Sequence, residues 1–178
     1  MSDLTRRVDN YLRTNARRLD DELAYFRRLR LQFAVEEAAK AIGPDGKMLS
    51  HQHRVGGDSC GDAAKRLLEC LSEIEKCKGF DELLTLVRQA TQPVTRFGDH
   101  AQYDTTLRIA AKLTTPEAIL MPKVVYLHAG TREGARQLGF DTTQEFLTMQ
   151  EIEQHHPELL RLKEPYHIEN FLCCSLHD

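Results

Sequence analysis

Six polar residues in the middle of this chain have types and spacings that could do chemistry: Tyr103, Asp104, Arg108, His128, Thr131 and Arg132. Asp104 offers a carboxylate able to orient an imidazole. His128 offers an imidazole able to move a proton near neutral pH. Arg132 follows Thr131 at the start of a short helical segment, where an anion is favoured by the helix dipole. Asp104 and His128 are therefore read as candidate catalytic residues, with the other four as candidate ligand contacts. The plainer reading pairs Asp104 with Arg108 one helical turn along, contributing roughly 0.2–0.5 kcal/mol.

A second signal is electrostatic. Residues 81–113 read as helix, short turn containing Gly98, helix, the layout of a helix-hairpin-helix. A glycine turn ahead of a helix N-terminus points backbone N–H groups outward, and these can hold a phosphate. Arg96 and His100 flank Gly98 and add charge, so Arg96, Gly98 and His100 are candidate nucleic-acid contacts. An ordinary αα-hairpin can carry the same glycine. Upstream, Arg6, Arg7, Arg13, Arg17, Arg18, Arg27, Arg28 and Arg30 decorate one helical stretch. They read as a solvated face balanced by Asp20, Asp21 and Glu22, with an anion-binding patch as the alternative.

Metal and nucleotide chemistry find little support. His51, His53 and Cys60 share one loop, and Cys173, Cys174 and His177 lie close together. Neither group has Cys-x-x-Cys or helical His-x3-His spacing, so no metal and no cofactor are expected. Walker, Gly-x-Gly-x-x-Gly and Gly-x-Ser-x-Gly patterns are missing.

The elements that must position these residues are helical. Residues 3–42 contain neither Gly nor Pro, and Ala16, Leu19, Leu23 and Phe26 recur at helical spacing, as do Leu31, Val35, Ala38 and Ile42. This predicts a long amphipathic N-terminal helix, or helix pair, over 1–42, stopped by Gly43-Pro44-Asp45-Gly46. Further helices are expected over about 62–77, from Asp81 to about Ala90, and from an Asp99/Gln102 capping box to about Leu113. Val124-Val125-Tyr126-Leu127 has strand composition without an evident partner. Thr131 is expected to open a short helix closed by Gly139. Thr148 and Glu151 have capping-box spacing, and Pro157 and Pro165 mark two final helices. The expected fold class is all-α, a single helical domain over 1–178.

Composition narrows the partners. A net charge of −3, a pI near 6.2 and no Trp do not suggest a dedicated basic or stacking nucleic-acid platform. Any such contact must come from a local patch. No apolar run is long enough to span a membrane, and Met1 to Arg7 lacks the apolar stretch of a secretory signal. Five cysteines without framework spacing read as reduced thiols of a cytoplasmic protein.

Two runs carry a family resemblance: Tyr103-Asp104-Thr105-Thr106-Leu107-Arg108-Ile109, and Val125-Tyr126-Leu127-His128-Ala129-Gly130-Thr131-Arg132 with Gly134-Ala135. With His51-Gln52-His53-Arg54 upstream, they look like an uncharacterised bacterial family over about residues 30–175. That family in turn distantly resembles the helix-hairpin-helix DNA glycosylases. The resemblance implies a glycosylase-like helical fold, and it adds Gln52, Arg54 and Tyr126 to the candidate ligand contacts. Two departures bear on activity. Arg96-Phe97-Gly98 stands where the glycosylase hairpin has Gly-x-Gly, and Tyr126 stands where the catalytic Asp would precede His128. A tyrosine cannot supply that carboxylate at neutral pH.

Three functions follow as expectations. The first is binding of DNA, or of a modified nucleobase, without the usual glycosylase or lyase catalysis. The second is a protein-interaction module that docks on a partner, or on a second copy, through the N-terminal helix. The third is an enzyme acting on a small nucleobase-like or phosphorylated molecule through Asp104, His128 and Arg132.

Overall fold

The computed structural model describes residues 2–49 and 53–176. It is predominantly all-α: helices make up 66% of it, against one two-stranded antiparallel pair. The chain groups into two compact units, one built from Met1–Asp20 and Pro122–Asp178, the other from Asp21–Met121.

In the first unit, helix α1 (Asp3–Tyr11) starts at Ser2, whose hydroxyl accepts from the Thr5 amide at 3.1 Å. That cap satisfies one of the otherwise unpaired N–H groups of the first turn. A π-helical turn, Leu12–Ala16, follows and leads into helix α2 (Arg17–Arg28). Strand β1 (Val125–Tyr126) pairs with β2 (Phe146–Leu147), Val125 opposite Leu147 and Tyr126 opposite Phe146. The strand expected to be partnerless therefore has a partner. A two-residue segment has no alternation of its own to read, so β2 could not be seen beforehand.

Helix α8 (Ala129–Gln137) lies between the strands in sequence. Helix α9 (Met149–His155) opens on the full Thr148–Glu151 capping box. Pro157 and Pro165 occupy the first turns of a 3₁₀ helix (Pro157–Leu162) and of helix α10 (Pro165–Cys174), where a missing N–H costs nothing. Val8, Tyr11, Val125, Leu127, Ile152, Leu159, Ile168 and Phe171 form the core of this unit.

In the second unit the long N-terminal stretch breaks at Leu29–Arg30, and helix α3 (Leu31–Lys40) begins afresh. The reason is angular. Leu23 and Phe26 are the buried residues of α2, whereas Ala34, Val35, Ala38 and Ala39 are those of α3. On one continuous helix these two stripes would be rotated by about a third of a turn, so the break brings both inward.

Helix α4 (Gly57–Glu69) buries Cys60, Ala63, Ala64 and Leu67. The helix expected over 62–77 is interrupted at Cys70, with α5 (Leu71–Lys76) following. Helix α6 (Phe80–Thr91) is capped by Gly79, with Asp81 inside its first turn rather than at the cap. Helix α7 (Asp99–Leu113) is likewise capped by Gly98. The expected Asp99/Gln102 box does not form, because Gln102 turns inward and donates to the Thr91 hydroxyl at 3.1 Å.

Candidate functional site

The segment joining α6 to α7 is short. Thr91, Val94 and Phe97 are buried at every third position, while Arg96 and Gly98 stay exposed. Phe97 is buried, and Arg96 before it sits at φ 67, the left-handed region that glycine favours. Gly98 itself is extended, and a Cβ added there would meet nothing within 4 Å. The first turn of α7 has no side-chain cap, so its leading amides point outward from the end of a 15-residue helix.

Three candidates further along α7 serve the unit's interior. Arg108 is 2% exposed; its Nε donates to Glu22 Oε1 at 2.7 Å, and its guanidinium lies 5.9 Å from the Phe26 ring centroid. Asp104 lies 3.9 Å from Arg108 Nη2 and 3.4 Å from His100 Nε2. Glu22, Arg108, Asp104 and His100 thus form a polar chain, and the expected Asp104–Arg108 pair is its longest link. Tyr103 is buried edge-on against Phe80, with ring centroids 5.7 Å apart.

In the first unit, His128 caps α8 and is 4% exposed. Its Nε2 is hydrogen-bonded to Glu169 of α10. The Thr131 hydroxyl lies 2.9 Å from the same nitrogen and donates to Glu169 Oε1 at 2.8 Å. The carboxylate that orients His128 within its unit is therefore Glu169. Close helix packing makes this possible. A Cβ on Gly130 would lie 2.8 Å from Cys173 Sγ, and one on Gly134 2.0 Å from Leu172 O, so only glycine lets α8 settle this closely on α10.

Arg132 donates through Nη1 to the carbonyls of Thr142 and Gln144, the latter at 2.8 Å, and so ties down the loop leading to β2. Tyr126 packs edge-on to its cross-strand partner Phe146.

A second buried network lies beside this one on α10. The Tyr11 hydroxyl meets His167 Nδ1 at 3.1 Å and Asn170 Oδ1 at 3.0 Å, and His167 Nε2 lies 3.1 Å from Asp20 Oδ1. Burial, and then the nearby Glu169 charge, push the Tyr11 phenol far above its ordinary range. It stays neutral and acts as a hydrogen-bond donor. Sequence reasoning missed Tyr11, His167, Glu169 and Asn170. The available signal was the composition of α10, where polar residues interrupt a segment apolar on every side: Ile168, Phe171 and Leu172 are buried together with His167 and Glu169.

Arg54 is exposed in the turn before α4. Gln52 lies outside the described residues, as do His51 and His177. Among the described residues no helix is long and apolar enough to cross a membrane. Compared with family models, curated proteins and solved structures, the chain gives no significant match.

Proposed function

We propose that this chain is a helix-hairpin-helix-type protein of glycosylase-like fold that binds nucleic acid, or a modified base within it, through the α6–α7 connection. The observation that carries the reading is the exposed start of α7, which lacks a side-chain cap, behind Arg96 and Gly98. There the amides of a long helix and one guanidinium face outward together, a combination suited to a phosphate. Arg96 holds a left-handed backbone, the region glycine favours, at the turn that leads into α7.

Binding without turnover is the form of this function that the side chains favour. Asp104 and Arg108 are engaged with Glu22 and His100, and Arg132 with backbone carbonyls. These roles hold elements in place.

Gly98→Asp tests the reading with opposite signs. An Asp at this position caps α7 and should leave the melting temperature unchanged or slightly raised, since Asp exceeds Gly as a cap by a few tenths of a kcal/mol. The same carboxylate repels a phosphate. In a gel-shift titration, duplex, single-stranded and lesion-bearing DNA should bind wild type with steep salt dependence, and the variant at least about tenfold more weakly. Absence of binding at low salt, or equal binding by Gly98→Asp, would sink the proposal.

A further inference from the structure

Within the first unit, α1, the π-turn and the end of α10 enclose a polar groove of about 650 Å³, within the size range of small-molecule sites. Arg6, Arg7, Arg13, Asn10, Asn15 and Cys174 line it. Two of the guanidinium groups are held in place. Asp3 binds both Arg6 and Arg7, the latter through Nε at 3.0 Å, and Arg7 Nη1 also donates to the Ser175 carbonyl at 3.0 Å. Arg13 is exposed and makes no ion pair or hydrogen bond among the described residues. Among the described residues, three cations therefore line the groove beside a single carboxylate, a surplus matching a dianion.

The backbone shapes the groove as well. Asp3, Arg6, Arg7 and Asn10 follow one face of α1, as helical spacing requires. Arg13, Thr14 and Asn15 are consecutive, yet all three line the same groove. On a regular helix they would fan across about 200°. Here they belong to the π-helical turn Leu12–Ala16, whose extra residue widens the backbone. Such turns are rare and concentrate at functional sites.

We infer that this groove binds a phosphate monoester of a small polar molecule. Arg13, together with Arg6 and Arg7, takes the phosphate dianion, for which guanidinium forks are the preferred partners. The amides of Asn10 and Asn15 meet the organic part. Cys174, an exposed thiol on the wall of the groove, reports occupancy. Burial pushes the thiols of Cys60, Cys70 and Cys77 up, so they react more slowly with an alkylating agent.

Calorimetric titration of the full chain with glycerol 3-phosphate and with inorganic phosphate, at constant ionic strength, tests this. One saturable site is expected, tighter for the ester. Arg13→Gln should weaken it at least about tenfold with no change in melting temperature. Arg161→Gln, which removes a surface arginine paired with Asp9, should leave the affinity alone. Saturating ester should slow carboxymethylation of Cys174 by iodoacetate, followed by peptide mapping. The inference does not depend on the nucleic-acid reading, and Gly98→Asp should not alter these results. It is overturned if neither probe saturates, if both arginine variants weaken binding equally, or if Cys174 is not protected. Equal affinity for inorganic phosphate and the ester would overturn the assignment to a monoester.

Discussion

The Cα of Gly134 lies so close to α10 that a Cβ built on it would sit 2.0 Å from the carbonyl oxygen of Leu172. A backbone atom is the obstacle, and it cannot rotate away. Gly134→Ala should therefore cost about 3 kcal/mol or more, at the upper end of overpacking effects. At Gly130 the added Cβ would meet Cys173 Sγ at 2.8 Å, and that side chain can move. Gly130→Ala should cost about 1 kcal/mol, and Cys173→Ala in the same chain should recover most of it. Urea denaturation of the four proteins measures both differences.

The His128–Glu169 pair is buried, with Thr131 donating to the same carboxylate oxygen. Removing one partner leaves the other short of a hydrogen bond away from water, so His128→Ala and Glu169→Ala should each cost about 1–3 kcal/mol. The double variant should cost clearly less than the sum. A double-mutant cycle on unfolding free energies gives the coupling, and strict additivity would show that the pair does not hold α8 to α10.

Arg108 is the largest side chain buried in the second unit, and its short bond to Glu22 links α7 to α2. Arg108→Lys should destabilise by about 2 kcal/mol or more, because a lysine keeps the charge but loses the forked donor geometry. Arg108→Met, with Glu22→Gln, should restore part of that loss. Thermal denaturation of the single and double variants checks the order.

Arg96 holds a left-handed backbone at φ 67 without being glycine. An L-residue there costs about 1–2 kcal/mol relative to the right-handed region. Against it stands the greater unfolded-state entropy of glycine, about 0.5–1 kcal/mol. Arg96→Gly should therefore be neutral to stabilising by up to about 1 kcal/mol, read as an unchanged or raised melting temperature.

Two groups set a pH dependence with opposite signs. The Tyr25 hydroxyl donates to Glu37, and that bond, with burial and the Glu37 charge adding to it, raises the phenol to about 12. Its contribution is complete below the unfolded value of about 10 and is lost as pH rises through 12. Glu151 is lowered, first by the Gln144 side chain and then by the Thr148 amide and hydroxyl. Its contribution is present above the ordinary glutamate range and disappears as pH falls through the lowered folded value. Phenolate absorbance should show a late step that Glu37→Gln moves earlier. Thr148→Ala should cost about 1 kcal/mol at neutral pH and less in acid, measured by urea denaturation at both pH values.

Much of the helical scaffold is readable from the residues. The Thr148–Glu151 box and the prolines opening the last two helical segments depend on neighbours within a turn or two. Local sequence carries that information in full. The break at Leu29–Arg30 was less accessible, because no Gly or Pro marks it. Its trace was the change of stripe from Leu23 and Phe26 to Ala34 and Val35.

The sequence by itself determined the helical class, the caps and the two polar runs that draw attention to Asp104 and His128. Only the tertiary structure decided the distant partners of residues in those runs: Glu22 for Arg108, 86 residues away, and Glu169 for His128, 41 residues away. It also decided the approach of Gly134 to Leu172 and the gathering of Arg6, Arg7 and Arg13 beside Cys174. Propensity, periodicity and capping act over a few residues along the chain. Charge pairing, close backbone approach and groove formation depend on distance in space, and folding sets those distances between segments that the linear order keeps far apart.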